Sequence, residues 1–347
     1  MGAHVARVVD GEEALRPRSD LLLEERVDIS EDVVEFRQSF GPFREYRREV
    51  RRVDSEYRET TEYRFHVPWF GWLFAPLVRH SLRRAGADRS RPPFWAPPGV
   101  LGPDQVHVLG LLAAASLLSA FINTLFTQTV AFAGDDLGVG DWGRGIAGTV
   151  VRVGILFGLP FALAADRIGR RRVVVVLAWA APVIASLGAI APNFPVLVAT
   201  QTLSRPLGLA LDLLIAVIAA EEMPRSSRAY AVSVLAMANG LGAGLAVVTL
   251  PLADVGASGW RFVYAFALVW LVVALDLTRR LPETGRFERH VVERRHVDLP
   301  MQRRRLAIQM AVAFFGNMLL APASFFQNGY LKDERGFSRS EEHTSEL

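Results

Sequence analysis

Up to about Gln105 the chain crowds charged residues between short apolar ones, whereas from Val106 to Tyr330 long apolar runs alternate with short charged knots. A helix needs roughly 20 apolar residues to cross a ~30 Å hydrocarbon core. Seven stretches reach or approach that length: residues 106–133, 145–165, 173–191, 196–220, 229–252, 260–277 and 306–326. The third is short, yet it opens on Val173, Val174, Val175 and Val176 directly after a charged knot. The pattern predicts seven membrane spans. Upstream, residues 33–40 alternate apolar and polar, Gly41-Pro42 reads as a turn, and residues 43–53 and 57–67 read as further strands. A helix-like run covers residues 69–84, with Pro76 expected to interrupt it.

Composition changes this picture little, because 51% hydrophobic and 22% charged residues would also suit two soluble domains. The isoelectric point near 9.6 raises the question of a nucleic-acid partner. The basic residues are arginines apart from Lys332, and they sit at the ends of apolar runs with no stripe of interleaved aromatics, which argues against nucleic acid and for a lipid bilayer. With no cysteine, disulfide frameworks and thiolate metal sites are excluded. The first twenty residues lack the apolar core of a secretory signal.

The knots orient the spans. Arg79, Arg83, Arg84, Arg89 and Arg91 precede the first; Arg167, Arg170, Arg171 and Arg172 follow the second; Arg225 and Arg228 follow the fourth; and a run from Arg279 to Arg305 follows the sixth. The alternate loops hold Asp135, Asp136 and Asp141 with only Arg144, then Pro192-Asn193-Phe194-Pro195, then residues 253–259. Positive charge stays cytoplasmic, so a multi-pass protein of the cell inner or plasma membrane with a cytoplasmic N-terminus is expected.

Between spans two and three stands Ala165-Asp166-Arg167-Ile168-Gly169-Arg170-Arg171-Arg172. This string resembles the signature loop of the major facilitator superfamily, with Ala162 where the family prefers glycine, a change expected to loosen the packing of span two slightly. Asp166 is placed to cap a helix end, Gly169 to permit the reversal, and Arg170 and Arg171 to pair with that carboxylate or with acids across the same face. Glu222-Met223-Pro224-Arg225-Ser226-Ser227-Arg228 after span four is similar to a loop of sugar and metabolite porters. Leu281-Pro282-Glu283-Thr284-Gly285-Arg286-Phe287 after span six is similar to their Pro-Glu-Ser-Pro-Arg motif, and Gly259-Trp260-Arg261-Phe262 opens span six as theirs does. The resemblance implies an all-α polytopic fold of twelve spans in two six-helix halves, with solute bound at mid-membrane. On this reading residues 106–277 are the amino-terminal half, 278–305 a basic cytoplasmic loop and 306–330 the seventh helix. The string Arg339–Leu347 resembles the translation of a sequencing adapter, so the chain is expected to stop short of the natural protein.

Ionisable groups inside spans are costly and mark function by default. Arg152 lies in span two; Arg205 and Asp212 lie seven residues apart on one face of span four. They are expected either to line a cavity, carrying a proton or gripping an anionic solute, or to fasten spans two and four through an Arg152–Asp212 pair. The family's span-four motif matches only partly after Arg205. Asn123, Thr127, Gln128, Gln201, Asn239, Asn317, Gln327 and Asn328 are uncharged candidates, with cavity lining expected for Asn123, Gln128 and Asn317. Ala236, Gly240 and Gly244 recur every fourth residue on span five and suit close packing, or loosely an antiporter motif.

Residues 1–84 allow two readings. One is a small α+β cytoplasmic region, a sheet followed by a helix, comparable to the tail of a helix-grip, lipid-binding-like domain. The other is an interfacial membrane helix built on Trp69, Phe70, Trp72, Leu73 and Phe74 beside Arg79, Arg83 and Arg84. Residues 85–105, with two Pro-Pro pairs, read as a semi-rigid linker. Gly138-Val139-Gly140-Asp141-Trp142-Gly143 fits the dinucleotide fingerprint by letter, but no strand is expected before it. His290 and His296 are poorly spaced for a metal. No cofactor and no enzymatic activity are expected. The expected function is secondary active transport of a small organic solute coupled to H+, by a monomer; the alternative is a transporter-like receptor or regulator signalling through the amino-terminal region.

Overall fold

The computed structural model describes residues 3–9, 12–30, 33–53, 56–65, 67–83 and 91–283, together with Arg304, Ala307, Ile308, Ala311, Val312, Phe315, Gly316 and Met318, which are helical. The chain divides into two compact units. One comprises Met1–Ala114, Ala216–Met237 and Arg279–Pro282, the other Ala115–Ile215, Ala238–Thr278 and Glu283–Leu347.

The first unit holds a five-stranded antiparallel sheet of β1 (Ala3–Val9), β2 (Leu23–Ser30), β3 (Val33–Phe40), β4 (Phe43–Val53) and β5 (Glu56–Phe65), in the order β1-β5-β4-β3-β2. Strand alternation turns Val5, Phe36, Tyr46, Val50 and Tyr63 inward and leaves Arg37, Glu45, Arg47, Glu62 and Arg64 toward the other side. The inward face is not purely apolar. Arg48, wholly buried, donates to Glu24 Oε1 at 2.9 Å and to the carbonyls of Ala14 and Arg16 at 2.9 Å, and stacks 3.9 Å from the Phe36 ring. Arg7 grips both oxygens of Glu59 at 2.8 Å. Such buried charge is tolerable only because each group is paired.

Helix α1 (Gly71–Arg83) covers part of this face, adding Val78 and Leu82 to a core of Val5, Leu21, Leu22, Phe43, Tyr46 and Tyr63. Arg18 donates to the carbonyls of Ser81 and Leu82 at 3.0 and 3.4 Å, satisfying groups that a helix end leaves open. Pro76 lies inside α1 without breaking it, contrary to expectation. The three strands expected over residues 33–67 are present, and β1 and β2 are added to them.

The described part of the expected semi-rigid linker, from Arg91 on, is held down at several points. Trp95 and Ala96 pack on the sheet core, the Trp95 carbonyl accepts from Tyr230 at 3.0 Å, and Gly99 exchanges hydrogen bonds of 3.1 Å in both directions with Ser227 Oγ. Gln105 donates to the Glu222 carbonyl at 3.2 Å.

Among the described residues six helices are long and apolar enough to cross a membrane, and they coincide with the first six expected spans. They are α2 (Pro103–Asp136); α3 (Asp141–Val153) and α4 (Leu159–Ile168) joined by a 3-10 segment at Gly154–Gly158; α5 (Arg170–Ser186) extended by Leu187–Ile190; α6 (Phe194–Glu222); α7 (Arg228–Val248); and α8 (Trp260–Phe266) with α9 (Leu271–Arg280) joined at Ala267–Trp270. The seventh expected span falls mostly outside the described residues.

Within the second unit, side chains lace the helices together. Thr129 and Tyr264 share a hydrogen bond of 2.7 Å, Trp260 donates to Asp136 at 2.9 Å, and Arg261 donates to the carbonyls of Ala189 and Ala191 at 3.0 and 2.7 Å. The Gly-Trp-Arg-Phe motif is thus a fastening at one end of the helices. Gln201, fully buried, donates to the Ala185 carbonyl at 3.3 Å, so it ties α6 to α5. The closest backbone approach on α7 is at Gly242, where a Cβ would fall 2.3 Å from the Leu117 carbonyl oxygen. Gly240 and Gly244 face open space among the described residues, so the expected packing role of that stripe passes to Gly242.

Candidate functional site

Two constellations stand out, both inside the second unit. The first is the turn between α4 and α5. Gly169 closes α4 by donating to the Ala165 carbonyl at 3.2 Å and opens α5 at φ +104°, a value that disfavours any side chain. Asp166 accepts from Arg170 at 3.3 Å, one helical turn on, and among the described residues its carboxylate caps no backbone N–H. Helix α5 begins with Arg170, Arg171 and Arg172, and positive charge at a helix N-terminus opposes the macrodipole. The compensating acid comes from elsewhere: Glu283 accepts the Arg171 backbone N–H at 3.1 Å. In return the Arg171 guanidinium donates to the Thr278 carbonyl in the last turn of α9 at 2.9 Å. The signature loop and the motif after span six therefore interlock, and the capping role expected of Asp166 belongs to Glu283. Arg167 is exposed. The side chain of Ala162, Arg286 and the remainder of the motif from Thr284 onward lie outside the described residues.

The second constellation lies along the spans. Span two loses α-helical form at Gly154–Gly158, which faces α6: a Cβ at Gly154 would meet Thr202, and one at Gly158 the carbonyl of Pro206. Pro206 has no N–H to offer the carbonyl four residues back, which is that of Thr202. Two interrupted stretches of backbone thus abut, and irregular backbone at membrane depth is tolerated only against protein or a wet cavity. Arg152 precedes the break by two residues, and Arg205 is adjacent to Pro206. Buried Arg205 Nε has no hydrogen-bond partner among the described residues.

Among the described residues the hydrogen bonds on Asp212 come from Ser116 Oγ at 3.4 Å and Asn239 Nδ2 at 3.2 Å, so the alternative reading of an Arg152–Asp212 pair is not met. One half-buried carboxylate therefore joins α2, α6 and α7. One turn along α2, Ser119 donates to the Gly208 carbonyl at 2.8 Å. Asn123 donates to Ser119 at 3.3 Å, and its buried Oδ1 has no partner among the described residues. Asn123, Thr124, Thr127 and Gln128 form a partly open stripe on an α2 that is otherwise mostly buried. Asn317, Gln327 and Asn328 lie outside the described residues. Ser116 and Ser119 escaped sequence reasoning, although their spacing with Asn123 (i, i+3, i+7) places all three on one helical face.

Glu222, Arg225 and Arg228 belong to the first unit. The Glu222 carbonyl receives Gln105, Arg225 is exposed, and Arg228 Nε reaches the Met223 carbonyl at 3.4 Å. The residue of that loop with the most specific contacts is Ser227, which carried no sequence signal of its own. The fingerprint-like run at Gly138–Gly143 links α2 to α3 with no strand before it, as expected. No group of His, Cys, Asp and Glu able to hold a metal occurs among the described residues.

Six apolar helices interlocked through polar side chains define a multi-pass membrane protein. The profile of the Major Facilitator Superfamily matches residues 112–345, and the chain belongs to that family. The match runs on to Ser345, over part of the terminal string expected to be foreign. No match was found among curated proteins. Among solved structures, the chain is similar to a bacterial homologue of the human lysosomal transporter Spinster in an inward-facing, occupied conformation, at 20% identity and a TM-score of 0.54, covering 70% of this chain and 57% of that one. The same homologue in its unoccupied form gives 19% identity and 0.52, covering 70% and 58%. The inward-open xylose transporter XylE from E. coli gives 17% identity and 0.45, covering 66% and 57%. The chain thus spans under two thirds of the length of these structures.

Proposed function

We propose that this chain is part of a secondary active transporter that moves a small organic solute by alternating access, with H+ as the coupling ion and without enzymatic activity. The observation that carries the reading is Asp212, a carboxylate at mid-span held by donors from two neighbouring helices. Protonation would remove the charge that Asn239 and Ser116 hold in place, loosening α2 and α7 from α6, and a loss of that kind is what a proton-linked change of conformation needs. The solute is proposed to be anionic, because the buried Arg205 Nε has no hydrogen-bond partner among the described residues and an incoming carboxylate or phosphate would satisfy it. Asn123 and Gln128 would contribute neutral contacts from α2. The Arg171–Glu283 interlock would be the latch of the basic-side gate, with Asp166 and Arg170 stiffening its turn.

The test begins with reading the full open reading frame from genomic DNA and reconstituting its product in vesicles. Asp212→Asn should abolish uptake driven by a pH gradient while leaving solute exchange without a gradient; uptake that keeps its full pH dependence refutes the coupling role. Arg205→Gln should weaken anionic solutes at least tenfold and spare neutral ones. Solute binding without any transport in the wild type would favour the receptor reading.

A further inference from the structure

The edge of α1 that does not face the sheet is apolar at its start. Trp72 is 76% exposed, Leu73 42% and Trp69, just ahead of the helix, 41%. Further along the same side come Arg79, His80 and Arg83, all exposed. Large aromatic side chains left open on a folded module mark a partner surface, and the position of this one identifies the partner.

Val67 and Pro68, directly before Trp69, pack on the first span. A Cβ at Gly110 of α2 would lie 2.9 Å from Pro68 Cδ, 3.1 Å from its carbonyl oxygen and 3.2 Å from Val67 Cγ1. Helix α2 has 34 residues, hence a length of ~51 Å at ~1.5 Å per residue. Centred on a ~30 Å hydrocarbon core, it extends ~10 Å beyond each edge, or about seven residues. Gly110 stands seven residues after Pro103, at the boundary between acyl chains and headgroups. The polar residues Asp104, Gln105 and His107 precede it, and an apolar run from Val108 to Ala115 surrounds and follows it. The chain then turns sharply: Trp69 adopts φ +65°, an outlier for a bulky residue, and Phe70 N–H donates to the Pro68 carbonyl at 2.7 Å. That turn starts α1 at the level of the headgroups.

We infer that Trp69, Trp72 and Leu73 are seated in the phospholipid surface at the amino-terminal end of α2, with Arg79, His80 and Arg83 directed to lipid phosphates. Tryptophan favours this zone because its ring is apolar and its N–H needs a polar partner. Arginines beside it gain from anionic headgroups. Both readings left open by the sequence then hold at once, since the helix that closes the sheet is also the interfacial helix. The inference depends on membrane insertion and not on transport.

The chain has no cysteine, so a single engineered thiol takes a single spin label. Leu73→Cys, labelled with a nitroxide and reconstituted in phosphatidylcholine–phosphatidylglycerol vesicles, should collide several-fold more with oxygen, relative to a water-soluble nickel complex, than the label at Arg47→Cys on the outer face of the sheet. Equal ratios at both sites would overturn the inference. So would a label at 73 hidden from both reagents, which would mean a protein cover in place of lipid. A second measurement uses unlabelled protein: lipids brominated near the headgroup end of their acyl chains should quench wild-type tryptophan fluorescence more than that of a Trp69→Gln/Trp72→Gln variant. Unchanged quenching would equally overturn the inference.

Discussion

Single residues in the sheet carry energies that hydropathy hides. Arg48 is buried between Glu24, two carbonyls and the Phe36 ring, so Arg48→Met leaves Glu24 charged and short of its partner. Loss of one member of a buried pair costs about 3–5 kcal/mol. Amides of β4 and β5 should therefore exchange hydrogen far faster in Arg48→Met, and adding Glu24→Leu should restore part of the protection. On the other face, the hydrogen bond from Arg37 holds the Glu35 carboxyl below its usual value, against burial and with help from the charge of Arg47. A lowered folded-state value means stability that is present above the ordinary carboxylate range and is lost as pH falls through the lowered one. The wild-type sheet should loosen on acidification below about 4 more than Glu35→Gln does, with circular dichroism of both proteins across that range as the check. These charges also explain why β1 and β2 went unread. Leu23-Glu24-Glu25-Arg26-Val27-Asp28-Ile29-Ser30 looks like a solvated loop until its inward acid is matched with an arginine twenty-four residues away.

Elements were legible in proportion to how uniform their surroundings are. The first six spans came directly from length and apolarity, because lipid demands both from every helix that crosses it. Glycine roles did not, because a sequence displays small residues without displaying what approaches them. The stripe of Ala236, Gly240 and Gly244 looked like a packing face, yet the backbone of α2 comes close at Gly242. Gly242→Ala should lower the melting temperature in detergent, since a methyl group 2.3 Å from the Leu117 carbonyl oxygen must push α2 and α7 apart, at roughly 1–3 kcal/mol. Gly240→Ala meets nothing within 4 Å among the described residues and should be neutral or slightly stabilising. The turn between α4 and α5 was legible too, because its glycine and arginines stand next to one another in the sequence. Its cap, Glu283, is 112 residues from Arg171 and only the fold joins them.

At the scale of the whole molecule, arginine placement makes a prediction about sidedness. With no native cysteine, Ser226→Cys after α6 and Ser258→Cys before α8 can be labelled separately with a membrane-impermeant maleimide in intact cells. Ser258→Cys should react and Ser226→Cys should react only after permeabilisation; the reverse would put the amino terminus outside. The Asp212 site was half legible, its carboxylate flagged by its cost in a membrane, its partners Ser116 and Asn239 settled only by which helices meet. Finally, the exchange of two hydrogen bonds between Ser227 and Gly99, with Trp95 packed against the sheet core four residues earlier, removes the remaining slack from what reads as a semi-rigid linker. A fluorophore fixed to the sheet would then behave as the needle of a gauge, deflecting with the turn between α6 and α7, and a Ser227→Ala protein would carry the same needle on a slipping shaft.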